Sequence, residues 1–280
     1  MRLQCGRHAI DLGRPVVMGV LNVTPDSFSD GGRYCDLAAA MARGEAIAAE
    51  GAAILDVGGE STRPGAAPVD AEEEIRRVIP VIERLAATLP IPISIDTRKP
   101  AVMRRAITAG ASIVNDVGAL AAPGAIEAVG EGGAAACLMH MQGEPGTMQD
   151  APRYHDVVAE VRAFLAARAA ACVAAGIPRD RLLVDPGFGF GKSLEHNLAL
   201  LAGLPLLAAD GLPVLAGLSR KRMIGAMTGR GEGDRLAGSI AAAIVAAGRG
   251  ARIIRAHDVR ETVDALAVVA AAGGFGDNRA

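Results

Sequence analysis

The sequence predicts one (β/α)8 barrel preceded by a short β-hairpin. Three observations predict it. Short β-branched runs recur eight times along the 280 residues, roughly one every 35, which is the spacing of a strand plus its crossover helix in such a barrel. Most of the runs are apolar along their length and do not alternate, as expected of parallel strands covered on both faces. Each run leads into polar or charged residues, and in a parallel barrel the carboxyl ends of all the strands meet on one face. A doubly wound sheet would instead set the same groups along a crevice.

Taken in order, Leu3–Cys5 and Ala9–Leu12 flank Gly6-Arg7-His8 and read as a hairpin capping the barrel bottom. The first strand, Val16–Val20, leads to Asn22. Ile54–Val57 carries Asp56, Ile91–Ile95 leads to Asp96, and Ile113–Val114 leads to Asn115-Asp116. Ala135–Met139 leads to His140 and Leu182–Val184 to Asp185. Val214–Leu215 leads to Ser219-Arg220-Lys221, and Arg252–Ile254 to Arg255 and His257. Between them, Ala-rich segments with Arg and Glu read as helices: Leu37–Glu50, Ala71–Thr88, Pro100–Ala109, Asp156–Ala175 and Arg235–Ala247. Pro100 suits a first helical turn, and Gly51, Gly110 and Gly176 suit helix ends. No linker or low-complexity segment divides the chain, so residues 1–280 read as a single domain.

Composition excludes several function classes. The 29 Lys+Arg nearly balance 31 Asp+Glu, which leaves no electrostatic footprint for duplex nucleic acid or an anionic membrane surface. There is no Trp, and only 2 Tyr and 5 Phe, so a stacking platform for single-stranded nucleic acid is poorly supported. The longest apolar stretches, such as Ile240–Ala247, fall well short of the roughly 20 residues of a membrane span. The N-terminal stretch has no apolar core of a secretory signal. The four Cys are far apart with no C-x-x-C pair, as expected of thiols in a reducing cytoplasm.

The loops after the strands carry the chemistry. Asn22-Val23-Thr24-Pro25-Asp26-Ser27-Phe28-Ser29-Asp30-Gly31-Gly32 is long, polar and ends in a Gly pair, as a lid would. Phe28 stands out there, because aromatics are so few. Gly58-Gly59-Glu60-Ser61-Thr62-Arg63-Pro64-Gly65 combines glycines, hydroxyls and a guanidinium, a set suited to an anion. Asp185-Pro186-Gly187-Phe188-Gly189-Phe190-Gly191-Lys192-Ser193 is not a Walker A loop, since Pro186 stands where its first Gly belongs. Lys221 likewise replaces the last Gly of a nucleophile elbow at Gly217–Lys221. No H-E-x-x-H occurs, and the five His are scattered, so a dedicated zinc site is not expected.

What remains is one rim offering Asp96, Asn115 and Asp185 beside the cations Arg63, Lys221, Arg255 and His257. Carboxylates and an amide suit the donor and acceptor edge of a heterocycle, and cations suit a phosphate or diphosphate. An ion pair in the barrel mouth is the plainer alternative for any one Asp.

In this order, Asn22–Gly32, Gly58–Gly65, Ile95-Asp96-Thr97, Asn115-Asp116, Met139-His140-Met141, Asp185–Lys192, Ser219-Arg220-Lys221 and Arg255-Ala256-His257 resemble the bacterial dihydropteroate synthases, over about residues 14–268. The resemblance implies a (β/α)8 barrel joining 6-hydroxymethyl-7,8-dihydropterin pyrophosphate to 4-aminobenzoate by an SN1-like route. Carried over, Asp96, Asn115 and Asp185 would bind the pterin edge, Lys221 its polar atoms, and Met139 and Gly217 would line the slot. Arg255 would lie over the ring. Asp96, Asp185, Lys221 and Arg255 would carry the catalysis. Asn22, Arg63, Arg255 and His257 would hold the pyrophosphate, with Asn22 also on Mg2+. Phe28, Ser61, Thr62, Pro64, Phe190 and Ser219 would form the 4-aminobenzoate pocket. The resemblance further implies a cytoplasmic homodimer, joined through Arg235–Ala247, and a sulfonamide target. A methyltransferase on a related pterin-binding barrel and a non-catalytic pterin-binding paralogue are the alternatives.

Overall fold

The computed structural model describes residues 1–24, 32–60, 69–143, 146, 148 and 151–275. An antiparallel hairpin, β1 (Arg2–Cys5) with β2 (His8–Asp11), pairs Arg2 with Asp11 and Cys5 with His8. Eight parallel strands follow and close into a barrel. They are β3 (Val16–Asn22), β4 (Ile54–Gly58), β5 (Ile93–Asp96), β6 (Ile113–Asp116), β7 (Ala135–Met139), β8 (Leu182–Asp185), β9 (Val214–Gly217) and β10 (Ala251–Ala256). The last strand pairs with the first, so Arg255 lies opposite Met18 on one side and Gly217 on the other.

Helices α1 (Gly32–Ala49), α2 (Ala71–Thr88), α3 (Pro100–Thr108), α4 (Ala125–Gly132), α5 (Val157–Ala174), α6 (Leu194–Ala208), α7 (Arg222–Thr228), α8 (Leu236–Gly248) and α9 (Val259–Ala271) cover the strands. The predicted barrel and hairpin are both present. Four of these helices, α4, α6, α7 and α9, are additions to the sequence reading. Of these, α6 is leucine-rich on all sides and contains Pro205, and α7 spans only 7 residues, so neither shows an amphipathic stripe. Side-chain caps open two of the predicted helices: Asp70 accepts from Glu73 N at α2, and Asp156 accepts from Val158 N and Ala159 N at α5.

Two apolar layers result. The outward strand positions, such as Leu55, Val57, Ile95, Val114, Leu138, Val184, Ala216 and Ile254, pack against the helices in the larger core. The inward positions Met18, Ile54, Ile113, Cys137, Leu183, Leu215 and Ile253 pack against Leu3, Cys5, Ile10 and Leu12 of the hairpin. The hairpin therefore plugs the amino-terminal end of the barrel. Side chains alternate along a strand, so the next inward position is two residues on. Those positions are Val20, Asp56, Asn115, Met139, Asp185, Gly217 and Arg255; on β5 the step runs from Ser94 to Asp96. A single step of the alternation thus changes the barrel interior from a hydrocarbon plug to a layer dominated by Asp56, Asp96, Asn115, Asp185 and Arg255.

No helix among the described residues is long and apolar enough to cross a membrane. Cys5, Cys137 and Cys172 are buried free thiols.

Candidate active site

Arg255 is the hub of the polar groups in that layer. Its Nε donates to Asp56 Oδ2 (2.6 Å), and its Nη2 donates to Asp96 Oδ2 (2.8 Å). Asn115 Nδ2 donates to the same Asp56 oxygen (3.2 Å). Asp56 is fully buried, and its Oδ1 has no hydrogen-bond partner. Beside it, Lys221 donates to the Phe188 carbonyl and stands 4.8 Å above the centroid of the Phe190 ring. Gly217 leaves room between the two cations: a Cβ there would sit 3.7 Å from Lys221 Nζ and 3.9 Å from Arg255 Cβ.

The charges act on one another. Burial pushes the Asp96 carboxyl up to about 7 against the pull of Arg255, and the Asp56 carboxylate adds repulsion. Burial also pushes the Asp185 carboxyl up, opposed by Lys221 and by the hydrogen bond from Gly187 N. Burial lowers the Lys221 ammonium to about 8, with Asp185 resisting and Arg255 assisting. For Arg255, burial acts against the charge, but Asp56 and Asp96 outweigh it and hold the guanidinium above its ordinary value. Buried groups with opposed shifts, converging at the carboxyl end of the barrel, mark a site suited to chemistry.

At the upper rim, His257 Nδ1 lies 3.1 Å from Ser219 Oγ, which also accepts from the His257 amide (3.2 Å). Arg220, between Ser219 and Lys221, has a φ of 59°, a conformation L side chains rarely take. Ser239 Oγ accepts from its amide, and its side chain pairs with Asp258, so the surroundings hold the strained residue and aim its neighbours. Asn22 ends β3 exposed at the mouth, its amide oxygen 3.8 Å from where a Cβ on Gly58 would stand.

The structure thus brings together Asp96, Asn115, Asp185, Gly217, Lys221, Phe190 and Arg255, with Met139 on the same inward row and Ser219 joined to His257. Phe28, Ser61, Thr62, Arg63 and Pro64 lie outside the described residues. Of the residues that flank 61–68, Glu60 accepts from Val69 N (3.0 Å) and from Lys99, whose ammonium also reaches the buried Glu74 of α2. Two polar strand ends turn away from the mouth. Asp116 accepts from Gly118 N and Leu120 N and shapes its own loop, and His140 faces Lys192. The sequence reading does not pick out Asp56 as a site residue. Its place two residues beyond Ile54 is the signal that finds it, once Ile54 is known to face inward.

The pterin binding enzyme family matches residues 18–257. The dihydropteroate synthase of Escherichia coli K12 is 53% identical over 271 residues, covering 97% of this chain and 96% of the relative. The chain belongs to the dihydropteroate synthase family. Two solved members, both from Xanthomonas albilineans, share its fold. The dihydropteroate synthase with 4-aminobenzoic acid superposes with a TM-score of 0.92 at 57% identity, covering 97% of each chain. The one in complex with 7,8-dihydropteroate gives 0.89 at 54% identity, covering 97% of this chain and 98% of the other. As a member of the dihydropteroate synthase family, the chain is a transferase.

Proposed function

We propose that this chain condenses 6-hydroxymethyl-7,8-dihydropterin pyrophosphate with 4-aminobenzoate to give 7,8-dihydropteroate and pyrophosphate, a step of folate synthesis. The observation that carries this reading is the ring of Asp56, Asp96, Asn115 and Asp185 around the two cations Arg255 and Lys221. The carboxylates and amide match the edge of a pterin. Asp96, Asn115 and Asp185 take its N–H groups, Lys221 its acceptors, and Met139 and Gly217 the ring faces. Arg255 covers the ring from the barrel wall, a role open to a guanidinium already fixed by two carboxylates. Asn22, Arg63, Arg255 and His257 receive the pyrophosphate. Phe28, Ser61, Thr62, Pro64, Phe190 and Ser219 receive 4-aminobenzoate.

The reaction needs no activated nucleophile. The C–O bond to pyrophosphate breaks, and positive charge spreads from the methylene into the pterin. Asp96 and Asp185 stabilise that charge, while Arg255 and His257 stabilise the departing anion. The neutral amine of 4-aminobenzoate then forms the C–N bond and loses a proton. Holding that amine in line is the main requirement.

Among the described residues no group of three or more His, Cys, Asp or Glu converges as a metal site. A Mg2+ bound chiefly by pyrophosphate oxygens and water needs no such cage. The exposed Asn22 amide oxygen would supply its protein contact and help neutralise the leaving group. Homodimerisation would cover the apolar side chains that α7 and α8 leave exposed, Met227, Leu236 and Val245. The free buried thiols suit a cytoplasmic protein, and a sulfonamide, as a 4-aminobenzoate mimic, would compete for the same pocket.

The test is 4-aminobenzoate-dependent release of pyrophosphate from the pterin substrate by the purified chain. Release that ignores 4-aminobenzoate, or no release, rejects the reading. The site also sets a pH dependence. Asp96 must be ionised to accept a ring N–H, and Lys221 must be protonated to donate. With these groups near 7 and 8, kcat/KM for the pterin substrate should trace a narrow bell, rising through about 7 and falling through about 8. A profile flat from about pH 6 to 9 would contradict the assignment of both groups.

A further inference from the structure

Lys192 is a buried lysine that the chemistry above does not use. It ends the loop after β8, just before the Ser193 cap of α6, and is 3% exposed. Its Nζ lies near four acceptors: the carbonyls of Phe190 (2.9 Å), Gly187 (3.0 Å) and His140 (3.2 Å), and His140 Nδ1 (3.0 Å). None is a carboxylate. A buried ammonium among neutral acceptors is costly. Burial lowers Lys192 to about 7, with Asp185 opposing and Lys221 adding repulsion. An apolar side chain would fill the same space more cheaply, unless the place of those carbonyls matters.

The loop is pressed into position from every side. Gly187 (φ 68°) and Gly191 (φ 63°) lie so close to the chain after β7 that a Cβ would fall 2.0 Å from the His140 carbonyl oxygen and 2.2 Å from that of Gln142. Asn197 Oδ1 accepts from Gly189 N (2.7 Å), and the Tyr154 hydroxyl donates to the Gly191 carbonyl (2.9 Å). Asp185 Oδ1 accepts from Gly187 N (2.7 Å). What this fixed loop presents to the site is specific. The Phe188 carbonyl accepts from Lys221, and the Phe190 ring lies beneath the same ammonium.

We infer that Lys192 is a positioning residue: by drawing the Gly187, Phe190 and His140 carbonyls onto one ammonium, it sets the height of the loop that fixes Lys221 and forms the Phe190 wall of the site. This rests on Lys221 and Phe190 being substrate groups, so the test also reads the loop without substrate. The chain has no Trp, so Phe190→Trp places a single indole fluorophore on the loop. In that background, Lys192→Met keeps the bulk and removes the donors. It should raise the acrylamide quenching constant of the loop indole severalfold and lower its anisotropy. In the otherwise unsubstituted chain, Lys192→Met should raise KM for 4-aminobenzoate about tenfold per folded molecule, with a smaller change in kcat.

A folded Lys192→Met chain that only melts earlier, with quenching and KM unchanged, overturns the inference. If that variant does not fold, Lys192→Gln takes its place. Its amide falls short of the carbonyls and donates twice, so the same two shifts at smaller size support the role, and unsubstituted values on both overturn it. A quenching shift alongside an unsubstituted chain that releases no pyrophosphate would reject the proposed reaction and leave the loop role standing.

Discussion

Arg255→Met should lower kcat/KM for the pterin substrate by about three orders of magnitude and also make stability depend steeply on pH. On the proposed reaction, the catalytic loss follows from removing one group that would serve both the ring and the leaving pyrophosphate. The stability loss follows from what stays behind. Asp56 and Asp96 would lose the guanidinium that bonds both, leaving Asp56 fully buried with only the Asn115 amide. Stranding one partner of a buried ion pair costs about 3–5 kcal/mol when the remaining group stays charged.

The Asp96 carboxyl can escape that cost by taking up a proton. Without Arg255, which pulls it down, the folded-state value of Asp96 rises further from about 7. A carboxyl raised on folding favours the folded state below its unfolded value, near 4, and that contribution is lost as pH climbs through the folded value. The variant should therefore melt close to the unsubstituted protein near pH 5 and well below it near pH 8. Thermal unfolding at both values checks this. An equal deficit at the two would show that the carboxylates found another partner.

Asp185→Asn separates charge from shape. Asp185 accepts a hydrogen bond from Gly187 N, and an asparagine oxygen in the same place keeps that bond and the loop. On the proposed reaction, the lost negative charge would no longer meet the positive charge that appears on the pterin as pyrophosphate leaves. Turnover should fall by about 10²–10³, while affinity for the pterin substrate falls by about tenfold or less. Lys221 loses the carboxylate that supports its charge, so the falling limb of the pH profile should move below about 8. Single-turnover rates beside calorimetric binding measure the split. Equal losses in both would make Asp185 a binding group only.

Much of this site is legible in the order of the residues. Asp96, Asn115, Asp185, Lys221 and Arg255 each follow a β-branched run, and strand ends in a parallel barrel share one face by construction. That rule does not separate the groups that turn inward from those that serve their own loops. Asp116 and His140 occupy strand ends as prominent as Asp185, yet one shapes a turn and the other faces Lys192. Asp56 shows in the sequence only as the polar residue of its strand, because its partner Arg255 lies 199 residues away and no local pattern couples them. Lys192 resembles part of a failed phosphate motif, because a lysine's acceptors are invisible until the loop has folded back over it.

From its residues alone, this chain specified an eight-strand parallel barrel, a hairpin beneath it, and a rim mixing carboxylates with cations, since local periodicity and strand-end chemistry are properties of short segments. Tertiary structure decided which side of each strand faces the axis, because the alternation has two phases and the hairpin plug selects one of them. It also decided the charge network, because pairing and burial depend on distances between strands that sequence separation does not encode.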